Sequence, residues 1–371
     1  MHVLKHALNS PMKFSPTFPA LLFLAASACA ACQDNPPPES RRDFRYSIAV
    51  IEDATFYGNL QVPLPTQLNQ FLVEPSFTVR YKPMWSLSTS VVGVADRFTD
   101  TYTQFRVKET YAGLSAGDFD FMVGRRIVRW GTGYAFTAAG VLDPPRIPTN
   151  PTDRLNLNAG RDMVKADYVH GPHAFTAVWS TAALAPAAAN LHDTTAVRYN
   201  VLVHGFDTSL IAGDDRGADA FGGLTFTRVL GQAWEIHGEA AWREHEAVLI
   251  GGKYTLPSGI TFIGEYFTPP NIPYFRGTTI SPLAGRQHYL FIDVGRNRLR
   301  ERPGWKQWDL SGAAVANCND RSYTAIFDAT RRFGNHFSSY LHMEIPVGKY
   351  HSEYEATPYS SATSAGVRFQ L

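Results

Sequence analysis

Between residues 130 and 160 the sequence gathers side chains that could sort charged solutes without making or breaking a bond. Trp130-Gly-Thr-Gly-Tyr134 opens the stretch, and Asp143, Arg146, Asp153 and Arg154 place both signs of charge along it. Pro144, Pro145, Pro148 and Pro151 stiffen it, because each ring fixes φ and removes a backbone donor. A connection this long without helical or strand periodicity is usually functional. Basic residues flank it on both sides: Arg106, Lys108 and Arg126 before, Arg161 and Lys165 after. Opposed charges across a narrow aqueous passage set up a transverse field that favours small polar or anionic solutes. The expectation is a constriction loop carrying Trp130, Asp143, Arg146, Asp153 and Arg154. The alternative is an outer loop that packs on a rim and seals it.

The other clusters read as wall rather than as reactive centres. Glu235, His237 and Glu239 share one face at period two, with Glu265 near in type. Their i, i+2, i+4 spacing spans roughly 14 Å along a strand, too far for one metal ion. His342 with Glu344, and Asp167, Arg198, Asp328 and Arg332, fall on the polar side of similar alternations and are expected to line water. Arg296, Arg298, Arg300 and Arg302 alternate in a turn or strand end, suited to solvent or to anionic head groups. His351-Ser352-Glu353 is the nearest approach to a hydrolase, but neighbours on a strand point to opposite faces. There is no G-x-S-x-G and no Gly-rich phosphate loop. No catalytic residue, cofactor or metal site is expected, and the chain is read as a non-enzyme.

These side chains need strands to position them. The chain has 371 residues with 18% charged and 13% aromatic, 29 Gly and 24 Pro. Ordinary soluble domains are about 25% charged, so this is a chain rich in rings and turn-formers. Of its 34 basic residues only eight are Lys, and the net charge of +1 gives no footing for nucleic acid. After the first 35 residues no run of 18 apolar residues occurs, which excludes a helical membrane protein. Period-two alternation recurs instead, as in Tyr323, Ala325, Phe327 and Ala329 against Thr324, Asp328, Thr330 and Arg332. Tight turns at 116–118, 171–173, 204–206, 230–232, 257–259 and 333–335 alternate with longer links near 97–102, 130–160, 183–195, 213–219, 269–286 and 346–358. That one-sided rhythm predicts an all-β, antiparallel up-and-down transmembrane barrel of about 18 strands (16–18), least certain over 286–320. Rings such as Phe77, Tyr81, Trp85, Phe119, Trp234, Trp242, Tyr266, Phe337 and Phe369 should face lipid, leaving the charged partners in an aqueous lumen. Tyr289, Phe291 and Ile263 would give that lumen an apolar patch suited to a lipidic solute.

The two ends supply the address. Lys5 or Lys13 precedes the apolar run from Phe18 to Ala30, and Ala28-Cys29-Ala30 fits a small-x-small cleavage site. A lipidated Cys29 or Cys32 is the weaker reading. At the other end, Ser364-Ala-Gly-Val-Arg-Phe-Gln-Leu371 resembles the targeting signal of bacterial outer-membrane barrel proteins, with Gly366, Phe369 and Leu371 at the matching positions. Val123-Gly-Arg-Arg-Ile-Val-Arg-Trp-Gly-Thr-Gly-Tyr134 is similar to the strand-into-loop block of porin-like and alginate-export-like barrels. The resemblance implies a signal peptide over 1–30, a periplasmic segment over 31–42, and an outer-membrane barrel over 43–371. It also implies delivery by the barrel assembly machinery, a shell of outer-membrane lipid, and a small-molecule solute, with no nucleic acid. The function so implied is a porin-type channel. Transport of lipid or hydrophobic compounds, or a structural or hydrolytic barrel, are the alternatives.

Overall fold

The computed structural model describes residues 42–371 except 62–64, 82–83, 97–101, 151–153, 156, 183–192, 217–219, 244–245, 270–286 and 297–306. The expected signal peptide, the cysteines at 29 and 32, Asp153 and the arginines 298, 300 and 302 lie outside the described residues.

Eighteen strands follow one another. They are β1 (Arg42–Gly58), β2 (Gln67–Tyr81), β3 (Trp85–Asp96), β4 (Tyr102–Ala116), β5 (Phe119–Arg126) and β6 (Arg161–His170). Next come β7 (His173–Thr181), β8 (Thr194–Val203), β9 (Phe206–Asp215), β10 (Ala220–Leu230), β11 (Trp234–Trp242) and β12 (Glu246–Thr255). The last six are β13 (Ile260–Thr268), β14 (Tyr289–Arg296), β15 (Trp308–Asn317), β16 (Ser322–Phe333), β17 (Phe337–Val347) and β18 (Ser361–Gln370). Each pairs antiparallel with its neighbours in sequence, and β18 pairs with β1, so the sheet closes on itself. Closure matters because an open edge would leave a row of unpaired N–H and C=O groups. At the seam Ala49 lies opposite Gln370 and Gly58 opposite Ser361, so β1 runs seven residues, 42–48, beyond the Ala49–Gln370 pair.

The expected strand number stands, and the uncertain stretch 286–320 resolves into β14 and β15. The turn rhythm holds in outline. Gly117, Gly171 and Gly205 take positive φ in tight turns at one end of the barrel, where a side chain would be strained. There are differences in detail. The link between β14 and β15 (297–307) sits at the tight-turn end, while 243–245 and 318–321 are short links at the other end. The links expected near 213–219 and 346–358 are shorter at their start, because β9 runs to Asp215 and β17 to Val347.

Side chains alternate across the wall as period two requires. Trp85, Phe119, Trp234, Trp242, Tyr266, Phe337 and Phe369 are exposed on the outside. Inside, where charged residues were expected to line water, there are also packed apolar residues. Ile51, Leu72 and Val92 pack on Leu155, and Met122, Met163, Val178 and Ile211 on Trp130 and Leu142. Leu249, Phe267, Phe291 and Val315 pack on Ala135 and Phe136. The cause is the connection 127–160, whose described residues lie inside the barrel and bring their own apolar side chains. Tyr289, Phe291 and Ile263 are therefore covered, by Phe136 and by Tyr354 of the 348–360 link, rather than left as an apolar passage.

Candidate functional site: the loop inside the barrel

A chain segment with no secondary structure must find acceptors for its backbone N–H groups when it leaves bulk water. Here three carboxylates serve a run of ten residues. Glu239 Oε1 accepts from the N–H of Thr132, the N–H of Gly133 at 2.8 Å and the Thr132 hydroxyl at 3.2 Å. Glu239 Oε2 accepts from the N–H of Ala138 at 2.7 Å, that of Ala139 at 2.8 Å and the Thr137 hydroxyl at 3.0 Å. Glu265 takes the N–H groups of Tyr134, Ala135 and Phe136, the last two at 2.9 and 3.3 Å. Asp143, on the loop itself, takes the N–H of Trp130 at 2.6 Å and that of Gly131 at 3.3 Å. From 130 to 139 every backbone N–H except that of Thr137 thus donates to a carboxylate. An ionised carboxylate is acceptor-only, and such charge-assisted bonds are about twice as strong as neutral ones.

The glycines of Trp130-Gly-Thr-Gly-Tyr134 make this close approach possible. A β-carbon at Gly131 would stand 2.1 Å from the Thr137 hydroxyl oxygen and 3.1 Å from Glu239 Oε1. One at Gly133 would stand 2.4 Å from the Phe136 carbonyl oxygen. The motif is a cradle for wall carboxylates.

The return limb is fixed elsewhere on the wall. Arg154 lies 3.5 Å from Asp53 on β1, donates to Ser364 on β18 at 2.9 Å, and accepts from Arg368 through its carbonyl at 2.8 Å. Tyr340 on β17 donates to Asp53 at 2.7 Å. Arg161 holds the Val141 carbonyl at 3.2 Å and the Thr194 hydroxyl at 2.8 Å. Arg146 donates to the Gly131 carbonyl at 3.2 Å and pairs with Asp143 at 3.3 Å. Burial pushes the Asp143 carboxyl up, against the pull of its Trp130 bond and of Arg146. The loop is therefore tied to the β4–β9 arc, to β11–β13, and to the seam at β1, β17 and β18.

The expected wet wall of Glu235, His237, Glu239 and Glu265 is largely covered. His237 is 0% exposed, Glu265 1% and Glu239 3%. The physical reason is the loop backbone lying on them. His237 Nε2 is 3.0 Å from Glu265 Oε1, and Glu235 accepts from the Tyr134 hydroxyl at 2.8 Å. The basic cluster is split. Lys108 is buried against Glu74 at 2.7 Å, and Lys165 pairs with Asp167, which also accepts from Thr176 at 2.7 Å. Arg126 lies over the Tyr111 ring at 4.7 Å, Arg198 donates to Ser209 at 2.9 Å, and Arg106 is exposed. Across the barrel His342 sits between Asp328 at 2.7 Å and Glu344 at 2.9 Å, and Arg332 pairs with Asp309. Gly366 and Phe369 lie in β18, where Phe369 pairs with Val50 across the seam, and Leu371 bonds to Ile48.

One anchor of the interior was not expected from the sequence. The 348–360 link also turns inward, held by Glu353, which accepts from the Tyr289 hydroxyl at 2.9 Å and from Asn317. Its Glu353 backbone N–H donates to Asp320 at 2.7 Å. The sequence marked 346–358 only as one of the longer links, with His351-Ser352-Glu353 weighed as a reactive trio and not as an anchor.

No protein-family model matches this chain, and no curated protein does. Among solved structures it is similar to Pseudomonas aeruginosa OccK5 (OpdH), with 8% identity and a TM-score of 0.63 over 89% of this chain and 98% of that one. It is similar to Pseudomonas aeruginosa OccK11 (OpdR), with 12% identity and a TM-score of 0.62 over 89% and 96%. A mutant of Rh. blastica porin aligns with 9% identity and a TM-score of 0.52 over 89% and 100%. At such identities the likeness is one of fold: a porin-like closed barrel.

Proposed function

We propose that the protein is a porin-type channel of the bacterial outer membrane, passing small polar or anionic solutes through a lumen narrowed by the 127–160 loop. The observation that carries this reading is the loop itself, laid inside a closed barrel and tied to three arcs of its wall. Exposed rings on the outside and charged groups inside are what a barrel in lipid requires. The shared fold with a named porin supports the same reading.

The mechanism follows from the charges left facing the lumen. Arg106, Arg126 and Arg198 line one side, and Asp328 and Glu344 the other. A solute is drawn in by the field, loses part of its water at the narrow level, and leaves because no one contact holds it tightly. The apolar inner residues are under the two loops, so a lipidic solute meets few of them.

The test is planar-bilayer conductance of the refolded protein. Replacing 137–152 with a short Gly/Ser link should raise single-channel conductance severalfold while the barrel still assembles, because the wall's hydrogen bonds lie within the sheet. Absence of conductance in both forms would refute the channel reading. Unchanged conductance would refute the constriction.

A further inference from the structure

The hairpin of β6 and β7 closes at the tight-turn end through His170-Gly-Pro-His173. Gly171 takes a φ of 57° at the first turn position, a conformation whose twist matches that of the flanking strands. His170 and His173 are direct cross-strand partners. Period two sets both on the outer face, in line with Val164 of β6 and with Phe175 and Trp179 of β7, all exposed. Side chains so placed have Cβ atoms about 4.5–5.5 Å apart, a spacing from which two imidazoles can reach one ion at about 2.0–2.1 Å.

The two rings are held in the same way. His170 Nδ1 lies 3.0 Å from a carboxylate oxygen of Asp118, on the neighbouring tight turn. A carboxylate only accepts, so in the neutral ring the proton sits on Nδ1 and the Nε2 lone pair is free. His173 Nδ1 lies 2.8 Å from the Tyr199 hydroxyl, whose oxygen can accept in the same manner. Tyr168 and Tyr199 lie nearly parallel to His170 and His173, their planes 4° and 11° apart. Neither Nε2 has a partner among the described residues, and the His170 side chain is 73% exposed. An imidazole oriented through one nitrogen, with the other bare, is the usual state of a metal-ligating histidine, and a carboxylate is a usual orienting partner.

We infer that His170 and His173 form a site for one divalent first-row transition ion at the tight-turn rim, each ligating through Nε2, with Asp118 and Tyr199 orienting the rings. Among the described residues no third His, Cys, Asp or Glu side chain converges on the pair, so water completes the shell and leaves open positions on the ion. Two imidazoles with oxygen ligands suit Cu²⁺ and Ni²⁺, and Cu²⁺ stands highest in the affinity order of such ions. The pair faces away from the lumen, so the site is independent of any solute passing through the barrel.

The test titrates the folded full-length barrel, in detergent, with Cu²⁺ alone. One ion should bind more tightly than any other, and its electron paramagnetic resonance spectrum should show splitting from two imidazole nitrogens. His170→Ala and His173→Ala should each lower that affinity at least tenfold. Asp118→Ala, which removes no ligand, should lower it about 10–100-fold by releasing the His170 ring. His204→Ala, on the next tight turn, should leave it unchanged. Heat-modifiable migration checks that each variant has folded. Tight binding that survives both histidine substitutions, a spectrum with a single nitrogen, or an equal loss in His204→Ala overturns the site. Full affinity in Asp118→Ala overturns the orienting role of that carboxylate.

Discussion

Glu239 shows how much one side chain can organise. Its two oxygens hold six donors from 132–139, four of them backbone N–H groups. Glu239→Gln keeps the shape but turns an amide toward donors, leaving two or more of them without an acceptor. With about 1–3 kcal/mol for each group left unsatisfied, docking of the loop should weaken by about 2–5 kcal/mol. Single-channel records should then show more open-state noise and excursions to higher conductance, with folding of the barrel unchanged. Glu353 gives a pH dependence of definite sign. Burial pushes its carboxyl up, and Asp320 adds to this, while Asn317 and Tyr289 pull it down. Released into water, the same carboxyl would titrate at about 4.3. The docked link therefore binds the proton more tightly, and its docking is strongest below the released pKa and weakens as pH rises through the docked one. Brief openings should be rarer at about pH 4 than at pH 7, and Glu353→Gln should flatten the difference.

Strand faces make a separate prediction. Ile292 is outward in mid-β14, and Ile292→Arg should cost about 2–4 kcal/mol of barrel stability, read from urea unfolding in lipid vesicles. Ser311 on β15 is inward and pairs in register with Asp328, so Ser311→Arg should cost less than about 1 kcal/mol. Equal costs would break the face assignment. The strands were legible in the sequence because period two and turn chemistry are local signals. About eighteen strands followed from them, and the length and charge of one connection favoured an inward loop over an outer one that seals the rim. What the sequence hid were the partners of that loop. Glu239 meets Thr132 across 107 residues and Glu265 meets Tyr134 across 131, distances over which spacing carries no signal. Gly131 and Gly133 were conspicuous, but their reason, the approach of wall carboxylates, exists only once the barrel has closed. Tyr340 teaches the same lesson: period two sets it on the same face as His342 and Glu344, but nothing local points to its bond with Asp53, 287 residues away.

For the whole molecule, the barrel interior is packed by two inward links, and the charges left beside them divide by side. Replacing Arg106 and Arg126 with Gln should move the reversal potential toward cation preference, since rings of charge at close range set that preference. Neither residue holds the loop, so conductance should change little. An unshifted potential would remove these two from the passage. The anchoring pattern also imposes an order in time. The connection 127–160 follows β5, yet its acceptors lie on β11 and β13, and its return limb bonds to Ser364 on β18, 210 residues after Arg154. Asp143, within it, and the β5–β9 residues around Trp130 and Leu142 are near in sequence, whereas Glu239, Glu265 and Ser364 become available only after much more of the wall is made. The seam between β1 and β18, which joins the two ends of the barrel sequence, is also the surface that receives Arg154. The contacts that close the cylinder and those that hold the return limb of the inner loop thus share the same two strands, so a change at this seam reaches the interior as well as the wall.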